Sequence, residues 1–260
     1  KISGSTVQIT EEATYIISGT LNNGIILVDA EDTAKLQIVL NGVSITNESS
    51  AALYILSADK VFVTLAEGTE NTLANGGSFI AIDENNIDAV VFSKQDLTFN
   101  GTGNLIITSP NGNGIVGKDD LVFTGGNYTI NTSSHGIEAN DSVRITGTTQ
   151  ITVDAGKDGI HCENNDDTSL GFIYISAGTL YIEAEGDGIS ASAYMQIVDG
   201  KFSVLAGGGS ENGSSQSSNT WGAFMGGDMP PGQQSSSNTA TTEDSTSMKG
   251  IKTSGTLNIF

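Results

Sequence analysis

The chain has 260 residues, enough for one large core or two small ones, with 10 Lys and Arg against 30 Asp and Glu for a formal charge of −20. Such a field repels nucleic acid and anionic membrane surfaces, so neither is expected as a partner. One cysteine excludes an internal disulfide framework, and no segment approaches the roughly 18 consecutive apolar residues of a membrane span. With 33 Gly, 3 Pro and an abundance of Thr, Ser, Asn, Ile and Val, the composition favours strands and tight turns over helices.

In chain order, short apolar alternations begin at "NGIILVDA" (23–30) and return at "AALYIL" (51–56). "DAVVFS" (88–93) then leads into "LTFNGTGNLIIT" (97–108). Residues 66–87 interrupt the series as an excursion from one corner. Clear repeats follow at "NGIV" (113), "HGIE" (135), "DGIH" (158), "DGIS" (187) and "KGIK" (249). Gly114, Gly136 and Gly159 are spaced by 22 and 23 residues; Gly188 and Gly250 come after insertions. Each repeat continues with two more alternations, such as "LVFTGG" and "NYTIN" or "IYISAG" and "LYIEA". Three strands per unit of about 22 residues, separated by Gly/Asn/Asp turns, predict one all-β domain over 1–260. Its fold is a parallel β-solenoid of about nine coils, stacked about 4.8 Å apart. Residues 207–247 form a long Gly/Ser-rich insert loop carrying "TWGAFMGGDMPPG". Trp221, Phe224 and Met225 in that loop either anchor it on the solenoid or form a sugar-stacking platform.

Period-2 alternation assigns faces. Cys162 falls in a column with Gly117, Ala139, Ala191 and Thr253, all small, and reads as a buried packing residue and not a nucleophile. The outward column reads Ile26, Tyr54, Val91, Val116, Glu138, His161, Ser190 and Lys252, and its first half is an apolar stripe. Either the 66–87 excursion or the long loop covers that stripe, or it is a contact surface. His161 is expected to face Glu138 on the preceding coil, which would raise the imidazole pKa.

Stacking also aligns Asn113, His135, Asp158, Asp187 and Lys249, placing Asp158 and Asp187 one rung apart. Glu163, Asn164, Asp166 and Asp167 follow on the adjacent turn. One solution is a self-neutralising ladder with His135 and Lys249; the other is calcium, which takes six to eight oxygen ligands. Zinc prefers several His or Cys ligands, and the chain carries two His and one Cys. The calcium reading takes Asp158, Asp187, Glu163, Asn164 and Asp166, with Asp119, Asp120 and Asp141 as a second group.

These segments, among them "ATYIISGTL" (13–21), "EDTAKLQIVLNGVSI" (31–45) and "SADKVFVTLAEGTENTL" (57–73), are collinear with a known pattern. So are "FSKQDLTFNGTGNLII" (92–107), "GIVGKDDLVFTGG" (114–126) and "KDGIHCENNDDTSLGFIYISAGTLYIEAEGDGI" (157–189). Over nearly its whole length the chain resembles the secreted, mostly clostridial carbohydrate-binding β-helix domains related in fold to pectate lyases. The resemblance implies a right-handed parallel β-helix, export to the cell surface, calcium sites and affinity for cellulose or pectin. At "HGIEAND" the chain departs from the family pattern, with His135, Glu138 and Asn140 where Asp and basic residues are expected. It carries no signal peptide, the start at Lys1 being compatible with a removed one, and stops mid-coil at Phe260, as a processed product would.

Three functions follow. The first is non-catalytic binding of cellulose or calcium-bridged polygalacturonate, with Tyr54, Tyr174, Tyr181, Trp221 and Phe224 as stacking residues. The second is a calcium-dependent pectate lyase acting by β-elimination, with Lys157 or Arg144 as base. The third is a surface adhesin that meets a protein partner through the apolar stripe.

Overall fold

The computed structural model describes residues 1–209 and 248–260. Among them there is no helix, and therefore none long and apolar enough to cross a membrane. The strands form two sheets, one of ten strands and one of fifteen, between which the chain alternates. The repeat unit visits the first sheet once and the second twice. Asn113–Gly117, Asp120–Phe123 and Asn127–Thr132 are followed by Ile137–Ala139, Ser142–Ile145 and Gln150–Ala155, each pairing in parallel with its equivalent. Ile2–Ser3 is the exception, lying antiparallel to Thr6–Ile9. The result is an all-β, solenoid-like stack.

Alternation along each strand buries one column of Ile, Val, Leu and Phe per sheet position. Phe99 and Phe123 stack on successive coils with centroids 5.0 Å apart, and Tyr128 meets both edge-on. Such ring pairs contribute about 0.5–1.5 kcal/mol each beyond their burial. At Gly114, Gly136, Gly159 and Gly188 the Gly of the "GI" motif is required by close approach. A Cβ on Gly136 would lie 2.6 Å from the carbonyl oxygen of Gly159 and against Val153, and one on Gly114 would lie 2.5 Å from that of Gly136.

The apolar outward stripe is real but shifted. Register places Leu27, Tyr54, Phe92, Val116, Glu138, His161, Ser190 and Lys252 in one column. Ile26 and Val91 belong one position over, in the inward column with Leu53 and Ile115. The "NGI" at 23–25 sits one residue out of step with the later repeats, and a one-residue slip exchanges the two faces. Tyr54, Phe92 and Val116 are fully buried in a second cluster with Ile87, packed on by Phe79. The segment that covers them follows Asn75. The first part of the expected excursion instead forms a regular strand, Glu70–Asn75, in the large sheet. Covered in this way, the stripe offers no surface to a protein partner.

Turn carbonyls and amides that the ladders leave over are met by buried asparagines. Asn71, with no exposed surface, accepts the N–H groups of Gly42 and Val43 at 3.0 Å and donates to Asn104 O and Thr69 Oγ1. Asn47 bridges the Gly24 and Ala51 carbonyls in the same manner. Replacing Asn71 by Leu orphans the buried Val43 N–H, at about 1–3 kcal/mol, and also removes the part-buried bonds to Gly42 N–H and Asn104 O. Urea unfolding of Asn71→Leu should therefore show a loss of roughly 2–5 kcal/mol, whereas exposed Asn131→Ala should stay within about 0.5 kcal/mol of the parent.

Candidate functional site

The column Asn113, His135, Asp158, Asp187, Lys249 forms as the repeat requires, but its oxygens are already engaged. Asn113 Oδ1 accepts the His135 N–H at 2.9 Å, and His135 Nδ1 accepts the Asp158 N–H at 3.3 Å. Asp158 Oδ1 accepts the Asp187 N–H, and Asp187 Oδ1 that of Lys249, both at 2.7 Å. Each side chain thus caps the backbone of the coil above. The second oxygens face cations or imidazoles: Asp187 Oδ2 lies 2.9 Å from Lys252 Nζ, and Asp158 Oδ2 lies 2.8 Å from His161 Nδ1 and 3.8 Å from His135 Nδ1.

His161 pairs in register with Glu138, yet its ring turns to Asp158 and, through Nε2, to Glu163 Oε2 at 3.3 Å. Glu138 is taken by Lys118 and Asn113. The expected His161–Glu138 contact is therefore replaced by one within the same coil. Burial alone would lower the His161 pKa, but the hydrogen bonds and charges of Asp158 and Glu163 outweigh it and raise it. For Asp158, burial would raise the pKa, but the His161 hydrogen bond and the Asp187 N–H bring it below the usual carboxylate range. His135 is pushed down to about 4, first by burial and then by the charge of His161, so it is neutral at pH 7. The two rings stack with centroids 4.7 Å apart. Cys162 is fully buried beneath them, its thiol pushed up to about 12 by burial, as its small-residue column predicts.

The other acidic residues gather only partly. Asn164 Oδ1 caps the N–H groups of Asp166 and Asp167, and its Nδ2 reaches Asp141 Oδ1 at 2.9 Å, so Asn164 and Asp166 shape their own turn. Glu163 serves His161. Asp120 accepts from Ser142 Oγ at 2.5 Å and lies 3.3 Å from Arg144. Asp119 is pushed up to about 6 by burial and by the charges of Asp96, Asp141 and Asp120. Asp119, Asp120 and Asp141 do not bring three carboxylate oxygens within 4.8 Å of one another. Among the described residues, His135, Asp158 and His161 bring three ligand atoms that close.

The aromatic candidates divide. Tyr181 is 53% exposed on its outward strand position, and Tyr174 is half-buried beside Arg144. Tyr54 cannot meet a glycan, being 1% exposed with its hydroxyl on Asp83 at 2.7 Å. Trp221 and Phe224 lie outside the described residues. Strand parity overlooked Phe172 and Tyr194, coplanar to within 6° and stacked at 4.7 Å, with the Arg144 guanidinium 5.3 Å from the Phe172 ring. Phe172 opens its strand and Tyr194 immediately precedes the next one, where alternation gives no warning; their adjacency appears only once the two occupy successive rungs. Paired with Asp120 and laid over a ring, the Arg144 guanidinium stays charged and is poorly suited to act as a base. Lys157 is exposed at the edge of the histidine corner.

Residues 3–260 match the family model described as carbohydrate-binding domain-containing protein. The chain belongs to that family. A relative of the same description from Acetivibrio thermocellus is 38% identical over 209 residues, which is 80% of this chain and 73% of that protein. The solved polysaccharide lyase-like protein from C. thermocellum, a gadolinium derivative, is 32% identical. It superposes with a TM-score of 0.82 over 100% of this chain and 89% of its own.

Two outcomes test this description. Asp187→Leu removes the acceptor for the Lys249 N–H and should cost about 1–3 kcal/mol. Asp187→Asn keeps it and should lose only the half-exposed Lys252 pair, about 0–1 kcal/mol. A thiol reagent should leave Cys162 unmodified in the folded protein and label it fully in denaturant; labelling at the rate of an exposed thiol would contradict its placement.

Proposed function

We propose that this protein binds plant cell-wall polysaccharide outside the cell without cleaving it, cellulose directly and polygalacturonate through calcium. The observation that carries the reading is the set of rings left outward on a family scaffold named for carbohydrate binding: Tyr181, and Tyr194 stacked on Phe172 beneath Arg144. Rings with open faces stack on the apolar faces of sugars, and the guanidinium and tyrosine hydroxyls supply polar partners. A neutral glucan meets no electrostatic barrier on a chain of charge −20, whereas a polyuronate does. Calcium resolves that repulsion. Asp119 and Asp141 occupy adjacent rungs where carboxylate charge is crowded, and uronate oxygens would complete the shell. The architecture in this reading is a right-handed β-helix of about nine coils, the hand that parallel crossovers nearly always adopt.

Retention on insoluble cellulose should fall roughly 2- to 10-fold for Tyr194→Ala and for Tyr181→Ala, the worth of one stacking contact. Unchanged retention in the double variant would remove the aromatic platform. Binding to polygalacturonate should require calcium and be abolished by EDTA. Absorbance from unsaturated product in the calcium-containing sample would instead identify a lyase, and Lys157→Ala would then show whether that lysine is its base.

A further inference from the structure

The segment that follows Asn75 does more than cover the apolar stripe. Between it and the turn at Asn111 lies a cavity of about 370 Å³, within the range of about 300–1,000 Å³ usual for small-molecule sites. We infer that this cleft is a second carbohydrate site, distinct from the Tyr194 platform, and that it takes one neutral pyranose ring, as a chain end or a branch. The inference rests on the carbohydrate-binding reading above and adds to it a pocket beside the smaller sheet, whereas Phe172 opens a strand of the larger one.

The lining has two characters. Ile87, 4% exposed, and Phe79 form an apolar wall. One edge of Phe79 rests on Gly112, where a Cβ would come within 2.5 Å of Cε2. Ser78, Asn86, Asp88 and Asn111 supply hydroxyl, amide and carboxyl groups. A pyranose divides in the same way, into apolar C–H faces and an edge of hydroxyls. The walls are tied in place before any ligand arrives. Asn111 Nδ2 donates to Gly77 O, the Ile80 N–H to Ser49 O and the Asn113 N–H to Asp88 O, each at 2.8 Å. The Tyr54 hydroxyl donates to Asp83 at 2.7 Å and fixes the segment between these ends. By contrast, the Ser78 and Asn86 side chains have no hydrogen-bond partner among the described residues. Fixed walls with uncommitted polar groups lower the ordering cost of binding.

Asp88 sets the charge preference. Its Oδ1 is sealed from solvent and has no partner among the described residues, so a ligand in the cleft meets the carboxyl at Oδ2. Lys118 and the Asn113 amide also act on this carboxyl, but a carboxylate has about four acceptor sites, and one amide leaves room for a sugar hydroxyl. No basic residue lines the cleft, and the chain carries a charge of −20. A uronate is repelled there, while the hydroxyls of a neutral sugar donate to the carboxylate.

The test titrates full-length protein with the methyl β-glycosides of glucose, galactose, mannose and xylose, and separately with galacturonate, while the side-chain amide resonances of Asn86 and Asn111 are followed. At least one neutral glycoside should move both amides saturably, and galacturonate should leave them still. Asn86→Ala should weaken that glycoside about 2- to 10-fold, the worth of one hydrogen bond, and Asp88→Asn about 10-fold or more, the worth of a charge-assisted one. Tyr194→Ala should leave the cleft response unchanged. Amides unmoved by all four glycosides in the parent protein, or moved equally by galacturonate, would overturn the site whether or not the variants fold. Retention on cellulose and pectin is read on the same samples. A silent cleft with retention intact removes this pocket alone, and a responding cleft without retention removes the polysaccharide platform alone.

Discussion

Every residue in this stack lies about 4.8 Å from its equivalents on the coils above and below, and that repetition governs the rest. Apolar columns benefit from it: Ile, Val and Phe meet their own kind and exclude water along the whole axis. Charged columns are penalised, because like carboxylates at that distance repel. In a chain of charge −20 the acidic corner is where the constraint is most severe. The solution is structural: one oxygen of each carboxylate goes to the N–H of the next coil and the other to a cation or imidazole. Asp119 instead accepts the N–H of adjacent Asp120 and faces the charges of Asp96, Asp141 and Asp120, so its carboxyl remains crowded.

The same geometry separates the binding surface from the histidine corner. Phe172 starts a strand of the larger sheet and Tyr194 immediately precedes one, while His161 lies within a strand of the smaller sheet and His135 just ahead of one. The family relation is to carbohydrate-binding and polysaccharide lyase-like proteins, and the chain retains their scaffold over its full length. Within it, the polar corner of this chain is built from His where acidic neighbours dominate elsewhere in the column.

Much of this was legible in the sequence, for a physical reason: a parallel stack copies its period directly into the chain. The small column around Cys162, the corner from Asn113 to Lys249 and the three-strand unit all follow from spacing, whereas the division of those strands between two sheets does not. Two kinds of information were not there. Phase was lost at the first coils, where "NGI" slipped by one residue and Ile26 and Val91 took the wrong face. Side-chain destination was lost wherever a rotamer chooses between neighbours, as when His161 turned from Glu138 to Asp158. Tyr54 shows a further limit: its register was right, but alternation does not decide whether the 66–87 excursion covers the stripe or leaves it as a contact surface.

The corner ladder has a direction. Asn113 holds the backbone of the coil after it through its side chain, as do His135, Asp158 and Asp187. The main chain beside them runs the other way: the N–H groups of Gly136, Gly159 and Gly188 donate up to the carbonyls of Asp158, Asp187 and Lys249. Each pair of coils is thus clasped from both sides at this corner. Peeling away either one leaves hydrogen-bonding groups of the other without their partners, which ties neighbouring coils into one cooperative unit.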